Sequence, residues 1–74
     1  MGNNTMLVPA YPHLKLTYIP NGWLWEVFVQ GRLTRLGHAK DFLDAHRAGE
    51  QASHEEWEKI TEAYDSLNDQ RLDP

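Results

Sequence analysis

Few side chains in this chain could do chemistry: imidazoles at His38, His46 and His54, a hydroxyl at Ser53, and the carboxylates near them. His38 with Asp41 has the composition of a general base and its orienting carboxylate, and Ser53 with His54 sets a hydroxyl next to an imidazole. Adjacent residues at a helix start point apart, so Ser53 reads as a helix cap rather than a nucleophile. His46 and Glu50 stand four apart, the spacing at which one helix face offers two metal ligands, with His38 two turns upstream. No second pair completes four ligands, and Gly49 is placed to end the helix before Glu50. The absence of cysteine excludes disulfides and thiolate metal sites. The expectation is a protein that is not an enzyme and carries no cofactor and no metal.

With 74 residues the chain makes one domain at most. At that length only about 60% of the unfolded chain's surface is buried on folding, so a partner or a second copy is a natural source of extra stability. The formal net charge is −4, unevenly spread. Arg32, Arg35, Lys40 and Arg47 cluster with His38 and His46, whereas Glu50, Glu55, Glu56, Glu58, Glu62, Asp65 and Asp69 face a lone Lys59 further on. Fields of this kind steer encounters more than they hold folds together. The apolar runs are far too short for a membrane span, the first residues lack a basic leader, and the lack of cysteine fits a reducing compartment. The expected location is the cytoplasm.

The elements that must position any site begin with a hairpin. Alternating apolar residues flank Asn21-Gly22, a dipeptide that favours a two-residue turn, and a loop of those two residues pairs Ile19 with Leu24, Tyr18 with Trp25, Leu16 with Val27 and Leu14 with Val29. One face is then Leu14, Leu16, Tyr18, Trp25, Val27 and Val29. The other holds Lys15, Thr17 and Ile19 opposite Phe28, Glu26 and Leu24. Gly31 supplies a second turn and Gly37 marks the end of a third strand. A loop of Gly31-Arg32 sets Thr34 and Leu36 on the buried face and Arg35 beside Phe28, and a loop of Gln30-Gly31 sets Leu33 beside Phe28 and Arg35 beside Glu26. In both, Arg35 lies on the outer face.

Ala39, Phe42 and Leu43 follow helical spacing up to a cap at Gly49, and Ser53-His54-Glu55-Glu56 is a capping box ahead of the stripe Trp57, Ile60, Tyr64 and Leu67. The expected class is α+β: a three-stranded antiparallel meander (about 14–19, 23–30 and 32–37) with two helices (about 39–48 and 54–67) packed on one face. Trp25, Trp57, Phe42 and Tyr64 are expected to supply the core. Residues 1–13, interrupted by Pro9 and Pro12, form an extended arm, 14–68 the domain, and 69–74 a frayed tail.

Two helices on one face leave the other bare. Ile19, Leu24, Phe28 and Leu33 form an apolar centre there with Lys15, Glu26 and Arg35 around it, and Trp23 adds a large side chain near the turn, which is the anatomy of an interface. Three things could cover this patch: the arm, through Leu7, Val8 and Tyr11; another protein; or a second copy in a homodimer. A further candidate surface is acidic, with Glu55, Glu58, Glu62 and Asp65 sharing a helical stripe.

The stretch Asn21-Gly22-Trp23-Leu24-Trp25-Glu26-Val27, followed by Gly31, Gly37 and a short helix, resembles the hairpin-then-helix pattern of many small proteins encoded by phages and mobile elements. The similarity covers residues 14 to 48. It implies a host-takeover factor, of the kind that includes anti-CRISPR proteins and polymerase inhibitors, acting by occlusion of a host protein's surface, and it carries over no site residue. The expected function is thus a small protein-binding module, an inhibitor or adaptor working through its outer sheet face. The alternative is a nucleic-acid-binding accessory protein in which Arg32, Arg35, Lys40 and Arg47 track phosphates while Phe28 stacks on a base.

Overall fold

The computed structural model describes residues 9–71. Strands β1 (His13–Ile19), β2 (Gly22–Val29) and β3 (Arg32–Ala39) form one antiparallel sheet in the order β1-β2-β3, followed by a single helix α1 (Phe42–Arg71). The class is α+β, with one helix where the caps suggested two. Of the expected arm, residues 9–12 precede β1 without regular structure and the rest lie outside the described residues. Of the expected tail, Asp69 to Arg71 continue the helix.

The first turn is displaced by one residue from Asn21-Gly22. Ile19 pairs with Gly22, so Pro20 and Asn21 make the connection, and Tyr18 faces Trp23, Leu16 faces Trp25 and Leu14 faces Val27. Proline second and glycine fourth suit a four-residue turn. Gly22 is required for a further reason: its φ is +143°, and a Cβ there would drive into the carbonyl oxygen of Ala39. Each expected β1–β2 pair moves by two positions, and an even shift preserves which side chains share a face. Leu14, Leu16, Tyr18, Trp25 and Val27 therefore stay together, as the alternation requires.

The second hairpin joins Val29 to Arg32 across Gln30 and Gly31, whose φ values of 53° and 79° match the primed turn that suits strand twist. Leu33 pairs with Phe28, but Arg35 pairs with Val27, so one extra residue, Thr34, bulges from β3. The Thr34 hydroxyl donates to the Val27 carbonyl at 3.2 Å, which ties the bulge down. A bulge reverses which face the following residues occupy. Arg35, expected on the outer face, is turned to the opposite one, and Leu36 takes the outer position across from Glu26. Gly37 lies inside β3 rather than at its end, and a Cβ there would come within 2.5 Å of the Trp25 ring, which covers it.

The break expected between Gly49 and Ser53 does not occur, because both residues are used for packing. Gly49 sits in the helix against Leu14, and a Cβ would run into the Leu14 side chain. Ser53 is 2% exposed on the same line. The cap lies earlier: the Asp41 carboxylate accepts the Asp44 amide at 2.9 Å, and β3 runs on to Ala39, so the helix opens at Phe42. Ala45, Gly49, Ala52 and Ser53 recur every three or four positions and are all buried. Such small residues let the helix backbone approach the sheet closely. The result is a thin core: among the described residues, Val27, Ala45 and Ala52 are the buried hydrophobic ones. Trp25, Trp57 and Tyr64 are half-buried rather than enclosed. Phe42 is 47% exposed, against the expectation that it belongs to the core, and Tyr18 on the helix-side face is 71% exposed; no second helix among the described residues closes over that end of the sheet.

The two turn glycines separate strain from collision. Gly31 has open space around a would-be Cβ, so Gly31→Ala carries only the left-handed backbone cost of about 1–2 kcal/mol. Gly22→Ala adds a collision with backbone and is expected to cost about 3 kcal/mol or more. Urea denaturation of both variants checks this ranking; a Gly22→Ala domain as stable as Gly31→Ala would contradict the observed turn.

Candidate functional site

Because α1 lies on the Leu14, Trp25 and Val27 side, no described element covers the other face of the sheet. Register brings the expected residues together there. Phe28 and Leu33 are directly opposite one another, Leu36 faces Glu26, and Leu24 lies between Thr17 and His38. Ile19 closes the patch on β1. Leu33 and Leu36 are 43% and 52% exposed. Lys15 faces Glu26 across β1 and β2, so the charges on this face balance. The His13 ring lies 6.4 Å from the Phe28 ring at one edge.

Not every expected site residue joins them. Trp23 is on the helix side, with its ring 5.1 Å from Phe42. Arg35 is also there, reaching Glu55 at 3.1 Å and Glu56 at 3.4 Å. Tyr11, one of the residues expected to fold back over the outer face, packs instead on the helix side with its ring 5.1 Å from Trp57. Leu7 and Val8 lie outside the described residues. Leu36, which the Gly31-Arg32 loop would have put on the buried face, lies on the outer one, since its face depends on the bulge at Thr34, which neither candidate loop included.

Arg35 reshapes the expected acidic stripe. Glu55 accepts from the Gln51 amide at 3.3 Å and from Arg35 at 3.1 Å, and these bonds, that from Gln51 foremost, hold its carboxyl below the ordinary glutamate value of 4.5. Glu56, whose side chain is 13% exposed, also accepts from Lys59 at 3.4 Å. Glu58 lies 3.2 Å from His54. Among the described residues, Glu62 and Asp65 have no cation within 4 Å. His46 and Glu50 do approach each other, at 3.6 Å, since the helix continues past Gly49. Among the described residues no group of three or more His, Asp or Glu is arranged to hold a metal ion.

A second feature escaped the sequence: a row of four rings at the end of the sheet where α1 begins. Tyr18 and Trp23 meet at 5.3 Å, Trp23 and Phe42 at 5.1 Å, and Phe42 and His46 stack at 5.9 Å. The period-two alternation already put Tyr18 on the Trp25 face; what it lacked was the helix start that sets Phe42 beside Trp23. A shallow depression of about 400 Å³ adjoins this row, lined by Asp41, Phe42, Leu43, Asp44 and Arg47. The basic set does not converge on Phe28: Arg35 is on the opposite face, and Arg47 lies on α1.

Comparison with protein-family models, curated proteins and solved structures finds no match for this chain. No helix among the described residues is long and apolar enough to cross a membrane.

The bonds from Gln51 and Arg35 to Glu55 set a pH dependence, to which Arg35 contributes. A carboxyl whose folded pKa is depressed stabilises the fold above its unfolded pKa, and that contribution is lost as pH falls through the lowered folded value. Arg35→Gln is therefore expected to melt below the wild type at pH 7 and to approach it at acid pH below the usual glutamate range. A difference in melting temperature that stays constant from pH 7 to acid would show that the Arg35 bond carries no linkage.

Proposed function

We propose that this chain is a small protein-binding module that acts through its outer sheet face, as an inhibitor or adaptor that occludes the surface of another protein. A phage or mobile-element origin would make that partner a host protein. The observation that carries this reading is the set of Ile19, Leu24, Phe28, Leu33 and Leu36 on the side of the sheet that no described element covers, with Leu33 and Leu36 exposed. Large aliphatic and aromatic groups flank Glu26 on the central strand, with Lys15, His13 and His38 on the edge strands, and combine burial energy with orientation. The thin core adds a thermodynamic motive. With Val27, among the described residues, the one fully buried side chain larger than a methyl or hydroxymethyl group, covering a second apolar face would stabilise the domain as well as the complex.

The nucleic-acid reading draws less support. Arg35 is engaged with Glu55 and Glu56 on the side away from Phe28, so its charge is already balanced within the chain. Binding of that kind would show a steep fall with salt.

Leu33→Glu with Leu36→Glu tests the proposal. Both positions are exposed enough that the fold should change in stability by no more than about 0.5 kcal/mol each, while co-purifying protein partners that the wild type retains are lost. Retention of the same partners by the doubly charged variant, with melting unchanged, would rule out the outer face as the binding surface.

A further inference from the structure

We propose that the segment Met6-Leu7-Val8 is a strap for the distal half of α1, seated along Trp57, Ile60, Tyr64 and Leu67. The described chain already points it there. Leu14 packs on Gly49, and three residues earlier the Tyr11 ring lies 5.1 Å from the Trp57 ring. Three extended residues cover about 10 Å, and the helical stretch from Gly49 to Trp57 covers about 12 Å. The lead into β1 therefore runs alongside α1 and antiparallel to it. Pro12 is buried and Pro9 half-buried on this course.

Stiffness and reach carry the course onward. Pro9 and Pro12 fix their own φ and keep the residues before them, Val8 and Tyr11, out of the helical region, which opposes a sharp return of the chain. At the same advance per residue, Val8 comes level with Tyr64 and Leu7 with Leu67. The helix has a face suited to them at that level. Trp57, Ile60, Thr61 and Tyr64 share one side and are half-buried, and Leu67 at the end of the stripe is 55% exposed.

Charge and tethering select this occupant. Glu58, Lys59, Glu62 and Asp65 are exposed on the other sides of the helix, so the stripe itself is uncharged, and so is every side chain from Thr5 to Pro12. Three consecutive apolar residues at 6–8 present at least one side chain to the helix whatever the local twist. A second copy would reach the stripe only from solution. A segment of the same chain, anchored where Tyr11 meets Trp57, meets it at an effective concentration of about millimolar, which favours the strap in dilute protein. The seat is on the helix side and leaves the outer sheet face open, so it does not depend on the function proposed for that face.

The test places cysteine pairs in the full chain. Leu7→Cys is combined with Leu67→Cys on the stripe, with Glu62→Cys on the opposite side of the helix, or with Leu33→Cys on the outer sheet face. Disulfide closure within the monomer, driven by oxidised glutathione and read by mass spectrometry, is expected to be at least about tenfold faster for the pair at 7 and 67 than for the other two, since the bond tolerates only a narrow range of separations. Leu7→Asp with Val8→Asp should lower the melting temperature by about 5 °C. Asn3→Asp with Asn4→Asp adds the same charge without removing apolar groups and should shift it by less than about 1 °C. Equal closure rates for the three pairs would mean an arm without a seat, and fastest closure with position 33 would put it on the outer face. Disulfide-linked dimers as the main product at 7 and 67 would give the stripe to a second copy. Each of these results overturns the proposal, as does an unchanged melting temperature in the variant altered at Leu7 and Val8.

Discussion

The close approach of α1 to the sheet along Ala45, Gly49, Ala52 and Ser53 is the interaction from which the other features follow. Leu14 fits against the missing side chain of Gly49, and Val27 is sealed from solvent beneath the helix. A line of such small residues brings two backbones together at the expense of volume, so little apolar bulk is enclosed. The large side chains are displaced to the margins of that contact. Trp25 lies over Gly37, Trp57 meets Tyr11, and Trp23 joins the row of rings with Tyr18 and Phe42.

One helix on one face also fixes where charge goes. The bulge at Thr34 turns Arg35 toward α1, and the helix answers with Glu55 and Glu56. A guanidinium held by two carboxylates at the boundary of a small core serves orientation, since it pins the middle of the helix over β3 while the apolar contact is made elsewhere. The outer face is thereby relieved of a cation and gains Leu36. What remains there is more apolar and more nearly neutral than a plain alternation of β3 would leave it.

The sheet was legible in the sequence and the helix only in part. Alternation from Leu14 to Val29 assigns faces correctly even though the first turn uses Pro20-Asn21, because a two-position shift keeps parity. The side chosen for the helix follows from the same alternation: Val27 is buried, while Leu33 and Leu36 are open. Gly49 and Ser53 misled because a glycine that ends a helix and a glycine that packs against a leucine look alike in one dimension, and a capping serine looks like a buried one. Asp41 carried the true cap signal, three residues before Asp44. Arg35 could not be placed, since the extra residue at Thr34 has no signature apart from the pairing it disrupts. Of the candidate site, Ile19, Leu24, Phe28 and Leu33 were read from alternation, whereas Trp23 belongs with Tyr18 and Phe42 on the far side.

The chain has no cysteine, so single cysteines can report on each face without interference. The most direct measurement is the rate of maleimide labelling of folded Leu36→Cys beside that of Ala52→Cys, each referred to its urea-unfolded rate. Thiols at position 36 should react about as fast folded as unfolded, and those at position 52 about a hundredfold more slowly or less, as local opening permits. Protection of position 36 equal to that of position 52 in the isolated monomer would mean that the chain covers its own outer face, and the assignment of that face to a partner would fail.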